Sequence, residues 1–157
     1  LGDTIFASAA AAYDALAPDV KERLAGKRAI HSYLAKMNAR KAAVGLTREI
    51  TREHLDKTPP VAHPVFRAHP VTGRKCIYVT EGECTGIEGM PDAEALPLIA
   101  QLHRPLIDPR FQYRHTWRVG DVLMWDNCTC QHLAVRDYGE GQRRLMHRVT
   151  VNGAVPF

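Results

Sequence analysis

The sequence predicts a mainly β protein with flanking helices, arranged as an antiparallel sandwich. Two observations carry that fold class: short strand-like runs recur at turn spacing through the second half of the chain, and helical periodicity is confined to a few stretches. A third says what the sheets are for. The last strand-like run, residues 143–151, holds two arginines four residues apart on one side.

The elements follow in order. Residues 8–26 predict a helix: an alanine-rich turn carries Tyr13 and Leu16 on one side, and Pro18-Asp19 restarts a turn that ends at Gly26. Residues 27–60 are polar and read as a mobile, partly helical lid insert, with Thr47, Arg48 and Glu49 resembling a helix start. Residues 63–69 and 75–80 predict short strands around a Thr72-Gly73 turn. Residues 91–103 predict a second helix, with Pro97 near its start or kinking it. Three strands are predicted at 111–119, 121–126 and 143–151, the first two separated by Gly120-Asp121.

Length and composition narrow the function classes. A chain of 157 residues can bury one real core, and 45% hydrophobic with 24% charged residues is ordinary for a globular protein. The net charge of +4 and a pI near 9.0 raise the question of nucleic acid. Lys and Arg are scattered, however, in runs no longer than two and with few aromatics between them, so no nucleic-acid partner is expected. A basic site for small acids explains part of the excess. No apolar stretch approaches a membrane span and no signal peptide is visible. Cys76, Cys84, Cys128 and Cys130 form no paired Cys-x-x-Cys knuckles. A reduced, cytoplasmic protein without membrane contact is expected, and a homo-oligomer is compatible with the sequence.

The chemistry-bearing stretch runs from Trp125-Asp126-Asn127 through Cys128, Cys130 and His132 to Asp137-Tyr138 and Arg143-Arg144-Leu145-Met146-His147-Arg148. On a strand Arg144, Met146 and Arg148 share a face. Buried arginines are tolerated when paired with anions. A histidine beside two such arginines reads as a metal ligand with small anionic molecules held nearby. Asp126 and Asn127 either orient that histidine or form a turn, and Trp125 reads as core. Cys128, Cys130 and His132 would also face one way on a strand, so a zinc module is a second reading.

Taken together, these motifs resemble the taurine/2,4-dichlorophenoxyacetate dioxygenase family of non-haem Fe(II), 2-oxoglutarate-dependent oxygenases. The resemblance also covers Gly2-Asp3-Thr4 with Ala12-Tyr13-Asp14-Ala15-Leu16, and His63-Pro64-Val65-Phe66-Arg67-Ala68-His69-Pro70 with Gly73-Arg74-Lys75. It implies a double-stranded β-helix, or jelly roll. It also implies His132 as the distal iron ligand, Thr4 and Arg144 on the distal carboxylate of 2-oxoglutarate, and Arg148 on the anionic group of the substrate. Arg143, Arg144's neighbour on a strand, would face the other way. His31 recurs in the family without binding iron. The implied reaction uses Fe(II), 2-oxoglutarate and O2 to hydroxylate a small sulfonate, sulfate ester or carboxylate, releasing succinate and CO2.

The family's iron sits in a 2-His-1-carboxylate triad whose first half, His-x-Asp or His-x-Glu, precedes the Gly-Asp-Thr segment. The expectation is that residues 1–157 are the C-terminal portion of a single oxygenase domain, with an incomplete jelly roll and no activity alone. An inactive remnant that binds without turnover is the alternative. His54-Leu55-Asp56 is the one His-x-Asp present. Its charged, β-poor surroundings predict helix, where residues i and i+2 point about 200° apart and cannot share a metal.

Overall fold

Ser8 is where strand turns into helix. In the computed structural model, which describes residues 1–44, 51–139, 141–153 and 155–157, β1 (Thr4–Ser8) runs directly into α1 (Ala9–Asp14). The Ser8 side chain accepts from the Ala11 N–H at 3.2 Å, satisfying a first-turn donor that a helix leaves unpaired. α2 (Pro18–Leu24) opens on proline, and Gly26 follows it at φ 71°, a conformation glycine takes without strain. The predicted 8–26 helix is thus two short helices broken where Pro18 restarts the chain.

β2 (Arg28–His31), α3 (Tyr33–Val44) and α4 (Arg52–Lys57) occupy the polar stretch. β2 is the centre of a sheet, between β3 (Val61–Pro64) and β6 (Cys84–Ile87). Thr47, Arg48 and Glu49 lie outside the described residues. The described helix start is Thr51, whose side chain accepts from the His54 N–H while the His54 ring accepts from the Thr51 N–H. The predicted 63–69 strand divides at Val65 into β3 and β4 (Phe66–Ala68), which belong to different sheets. β4 pairs with β5 (Lys75–Ile77) across the expected turn, where Gly73 N–H bonds to the His69 carbonyl at 2.9 Å.

α5 (Asp92–His103) buries Ala95, Leu98, Ile99 and Leu102, a stripe at i, i+3, i+4 and i+7, and packs against β6. Pro97 lies inside it; the ring removes one N–H, and the helix continues on both sides. With Leu24, Ala29, Val65, Ile77 and Val79, this stripe forms the hydrophobic core.

The third sheet has the order β7-β1-β8, with β7 (Gln112–His115) and β8 (Cys130–Ala134) both antiparallel to β1. Ala7 turns into the core from this sheet, while Thr4 and Phe6 occupy its opposite face.

Two expectations need correction. Among the described residues helices alternate with strands, so they are mixed rather than mainly β. Residues 121–126 and 143–151 have no strand, and 111–119 contributes only β7. A strand's backbone bonds go to a neighbour, so an alternating pattern forms one only where a partner lies alongside. Among the described residues no helix is long and apolar enough to cross a membrane, and all four cysteines are free.

Candidate functional site

The register of β1 and β8 builds the site. Phe6 is paired with His132 and Thr4 with Ala134, so Thr4, Phe6 and His132 share one face of the sheet. His132 and Thr4 are diagonal neighbours across the strands, a relation that ordinarily spans about 7–8 Å between Cα atoms. The His132 imidazole lies 5.1 Å from the Trp125 ring and 6.1 Å from Phe6, centroid to centroid. Trp125 is therefore half-buried against the histidine rather than part of the core. Burial lowers the His132 pKa from the usual imidazole value, and the positive charges of Arg148 and Lys36 lower it further. The ring is kept neutral, the form in which imidazole ligates a metal.

Arg144 approaches from the other side. It is half-buried, and its Nε donates to the Gly2 carbonyl at 3.0 Å; Arg143 is exposed. Gly2 has φ 72°, and a Cβ built there would lie 2.5 Å from Arg144 Cδ, so the arginine's path depends on glycine. The Gly2 N–H also donates to Asp137 Oδ1. Arg148 is exposed, and its positive charge acts on His132. The structure thus places Thr4 and His132 on one sheet face, brings Arg144 to the start of β1, and sets Arg148 to act on His132 electrostatically.

The frame beneath these groups was not read from the sequence. Asp3 is buried, and its Oδ2 accepts from Arg114 Nε at 2.7 Å and from Thr116 Oγ1 at 3.1 Å. The bond from Arg114 holds the Asp3 carboxyl below the usual carboxylate range, outweighing its burial. Arg114 also reaches Asp137 Oδ2 at 3.0 Å, and Trp117 Nε1 donates to Thr4 Oγ1 at 2.9 Å. The acid at position 3 and the arginine on a predicted strand were visible as residues. Their pairing, 111 positions apart, was not.

The zinc reading of Cys128, Cys130 and His132 is not what converges. Among the described residues the metal-suited group is His69, Asp126 and Cys128, with ligand atoms within 4.8 Å of one another. Its hydrogen bonds argue against a cation. His69 Nδ1 accepts from the Val71 and Thr72 N–H groups at 3.2 and 3.0 Å, so the ring proton belongs on Nε2, which donates to Asp126 Oδ2 at 2.9 Å. The buried Arg67 guanidinium lies 3.5 Å from Cys128 Sγ, adding positive charge. Asp126 instead serves the turn before β8: it accepts from Cys128 N–H at 2.7 Å and Thr129 Oγ1 at 3.1 Å. Although burial opposes it, these bonds hold its carboxyl below the usual range. Trp125 Nε1 closes the same turn onto Asn127 Oδ1 at 2.8 Å.

His54 and Asp56 lie on α4, as the helix reading requires; His54 caps its own helix and Asp56 pairs with Arg52 at 3.4 Å. A cavity of about 100 Å³ opens beside β8, lined by His31, Tyr78, Thr80, Cys130 and Gln131 among others. The His31, His63 and Tyr78 rings pack together at 5.3–5.7 Å. Burial pushes the Cys84 thiol up to about 11, which marks it as core rather than nucleophile.

Comparison with known proteins shows the family of the chain. The model of the "Taurine catabolism dioxygenase TauD, TfdA family" matches residues 2–150. An alpha-ketoglutarate-dependent 2,4-dichlorophenoxyacetate dioxygenase of Burkholderia sp. (strain RASC) is 39% identical over 152 residues, covering 97% of this chain and 49% of that protein. An alpha-ketoglutarate-dependent sulfate ester dioxygenase of Pseudomonas putida is 34% identical, covering 99% of this chain and 52% of that protein. The crystal structure of AAD-2 in complex with Mn(II) and N-oxalylglycine superposes with a TM-score of 0.83 at 35% identity. It covers 99% of this chain and 59% of that one. The chain spans about half the length of the curated relatives it matches.

Proposed function

The chain belongs to the TauD/TfdA family of taurine catabolism dioxygenases, and from that premise we propose that it carries the distal half of an Fe(II), 2-oxoglutarate-dependent oxygenase site. The supporting observation is that β1 brings together a neutral imidazole at His132, a buried hydroxyl at Thr4 and, through Gly2, the Arg144 guanidinium. In this reading the fold is part of a double-stranded β-helix, and α3 and α4 lie in the lid.

His132 fits one position of a 2-His-1-carboxylate set: its ring is exposed enough to be reached, neutral, and flanked by Trp125 and Phe6. When bound with its two further ligands, the iron supplies O2 activation coupled to decarboxylation of 2-oxoglutarate, yielding succinate and CO2. Arg144 offers a planar fork to the distal carboxylate, and Thr4 adds a hydroxyl to the same group. Trp125 and Phe6 flank the imidazole and orient its ring. Arg148 and Lys36 give the surroundings of His132 the positive charge that suits an anionic substrate, a sulfonate, sulfate ester or carboxylate. The named relatives act on substrates of that kind.

His54 and Asp56 are held on α4 in bonds of their own, so this chain by itself is proposed to bind anions without turnover. In a protein carrying it with a complete iron-ligand set, Arg144→Ala should raise the 2-oxoglutarate requirement about 30- to 1000-fold. That is the worth of a charge-assisted bidentate contact, roughly 2–4 kcal/mol. Arg143→Ala should do much less, and the reverse order would reassign the inward arginine.

A further inference from the structure

Thr4 is buried, at 5% exposure, and its hydroxyl is not a free rotor. Oγ1 accepts from Trp117 Nε1 at 2.9 Å. An indole N–H can only donate, whereas a hydroxyl has one proton and two lone pairs. With one lone pair committed to the indole, the hydroxyl proton must point away from Trp117. Threonine's branched Cβ restricts χ1 and so the position of Oγ1.

Trp117 is held by a ring contact of its own and by bonds from both of its chain neighbours. Its ring meets His115 edge-on, 4.6 Å between centroids at 85°. Thr116 donates to Asp3, the residue immediately before Thr4, and Arg118 N–H donates to Asp121 Oδ2 at 2.9 Å. The indole is therefore anchored to the strand whose hydroxyl it contacts. On the same stretch of chain Arg144 is bonded to Gly2, two residues before Thr4.

We infer that Trp117 is a positioning residue that makes Thr4 a dedicated hydrogen-bond donor to the carboxylate captured by Arg144. The inference rests on the reading above that Thr4 and Arg144 take 2-oxoglutarate. Trp117 acts through the hydroxyl, by occupying one of its two acceptor positions. An anion then meets a proton already aimed away from the indole.

The test is a double-mutant cycle read by calorimetric titration of N-oxalylglycine into Mn(II)-loaded protein with its complete ligand set. Thr4→Val and Trp117→Phe should each weaken binding about 3- to 10-fold, the range of one neutral hydrogen bond. The double variant should be no weaker than Thr4→Val alone, within about twofold, because Trp117 acts through the hydroxyl. In turnover, Trp117→Phe should raise the KM for 2-oxoglutarate with little change in kcat. Should Trp117→Phe fail to fold, the indole N–H resonance of Trp117 in ¹⁵N-tryptophan-labelled, metal-free protein supplies the readout; it should shift clearly in Thr4→Val. Fully additive losses, an unmoved resonance, or weakening by Thr4→Val with none by Trp117→Phe would overturn the inference while leaving the site reading intact. No weakening by Thr4→Val would remove Thr4 from the cosubstrate site, and the inference with it.

Discussion

Residues 4–115 and residues 117–157 differ in how they meet their backbone and apolar needs. The first region contains every described helix and seven of the eight strands, and its Leu24, Ile77, Val79 and Leu102 are essentially fully buried. The second contains β8 alone, and Val119, Val122, Met124, Val149 and Val151 are each more than nine-tenths exposed. Yet the second region carries Trp125, His132, Arg144 and Arg148. The candidate site thus depends on a well-packed scaffold, to which the chemistry-bearing segment is tied by β8 on β1 and by side-chain bonds that include Trp117 to Thr4, His69 to Asp126 and Arg114 to Asp137, with Arg144 bonded to Gly2 just before β1.

The sharpest way to break that contrast is to truncate one side chain in each region. Leu102→Ala, at 0% exposure, should cost about 2–5 kcal/mol in urea unfolding. Val149→Ala, at 96% exposure, should stay within about 0.5 kcal/mol. Equal losses would mean that the C-terminal stretch is packed as the core is.

Gly2→Ala strikes one of the ties. A non-glycine residue at φ 72° costs about 1–2 kcal/mol, and the new Cβ displaces Arg144. Thermal melting should register the strain, and N-oxalylglycine binding should weaken more than that strain alone predicts. Unchanged binding would show that Arg144 does not need its Gly2 seat.

Acid should act on the packed region through its histidines. His31 and His63, 5.3 Å apart, both have lowered pKa values. Burial is the main cause for each, reinforced at His31 by His63 and at His63 by Arg28 and Arg67. The unfolded chain therefore takes up protons first as pH falls through the ordinary imidazole value of about 6.5. The stability they contribute is complete above that pH and declines below it. His63→Gln should flatten the melting-temperature profile between roughly pH 7 and pH 5; an unchanged slope would place the sensitivity elsewhere.

The same contrast explains what was legible in the sequence. Helices α1, α2 and α5 could be read because their bonds and capping signals are local: Ser8, Pro18, Gly26 and the Ala95–Leu102 stripe lie in consecutive turns. The Thr72-Gly73 turn was readable for the same reason. β2 was hidden in a polar stretch because its hydrogen bonds go to β3 and β6, some thirty and fifty residues away. Residues 143–151 show the reverse error, a clean alternation without a described strand partner. At the site, His132, Thr4 and Arg144 stood out by motif, whereas Trp117, Asp3 and Arg114 acquire their roles only when distant segments meet.

The central claim is that His132 is the iron-ligating imidazole around which this sheet face is organised. It is tested most directly by succinate formation from 2-oxoglutarate under Fe(II) and O2, in protein with the complete ligand set, compared with His132→Ala. The account predicts that wild type forms succinate only when both are supplied, and that His132→Ala abolishes both turnover and tight iron binding while melting near the wild-type temperature. Near-normal iron affinity and succinate formation in His132→Ala would contradict it.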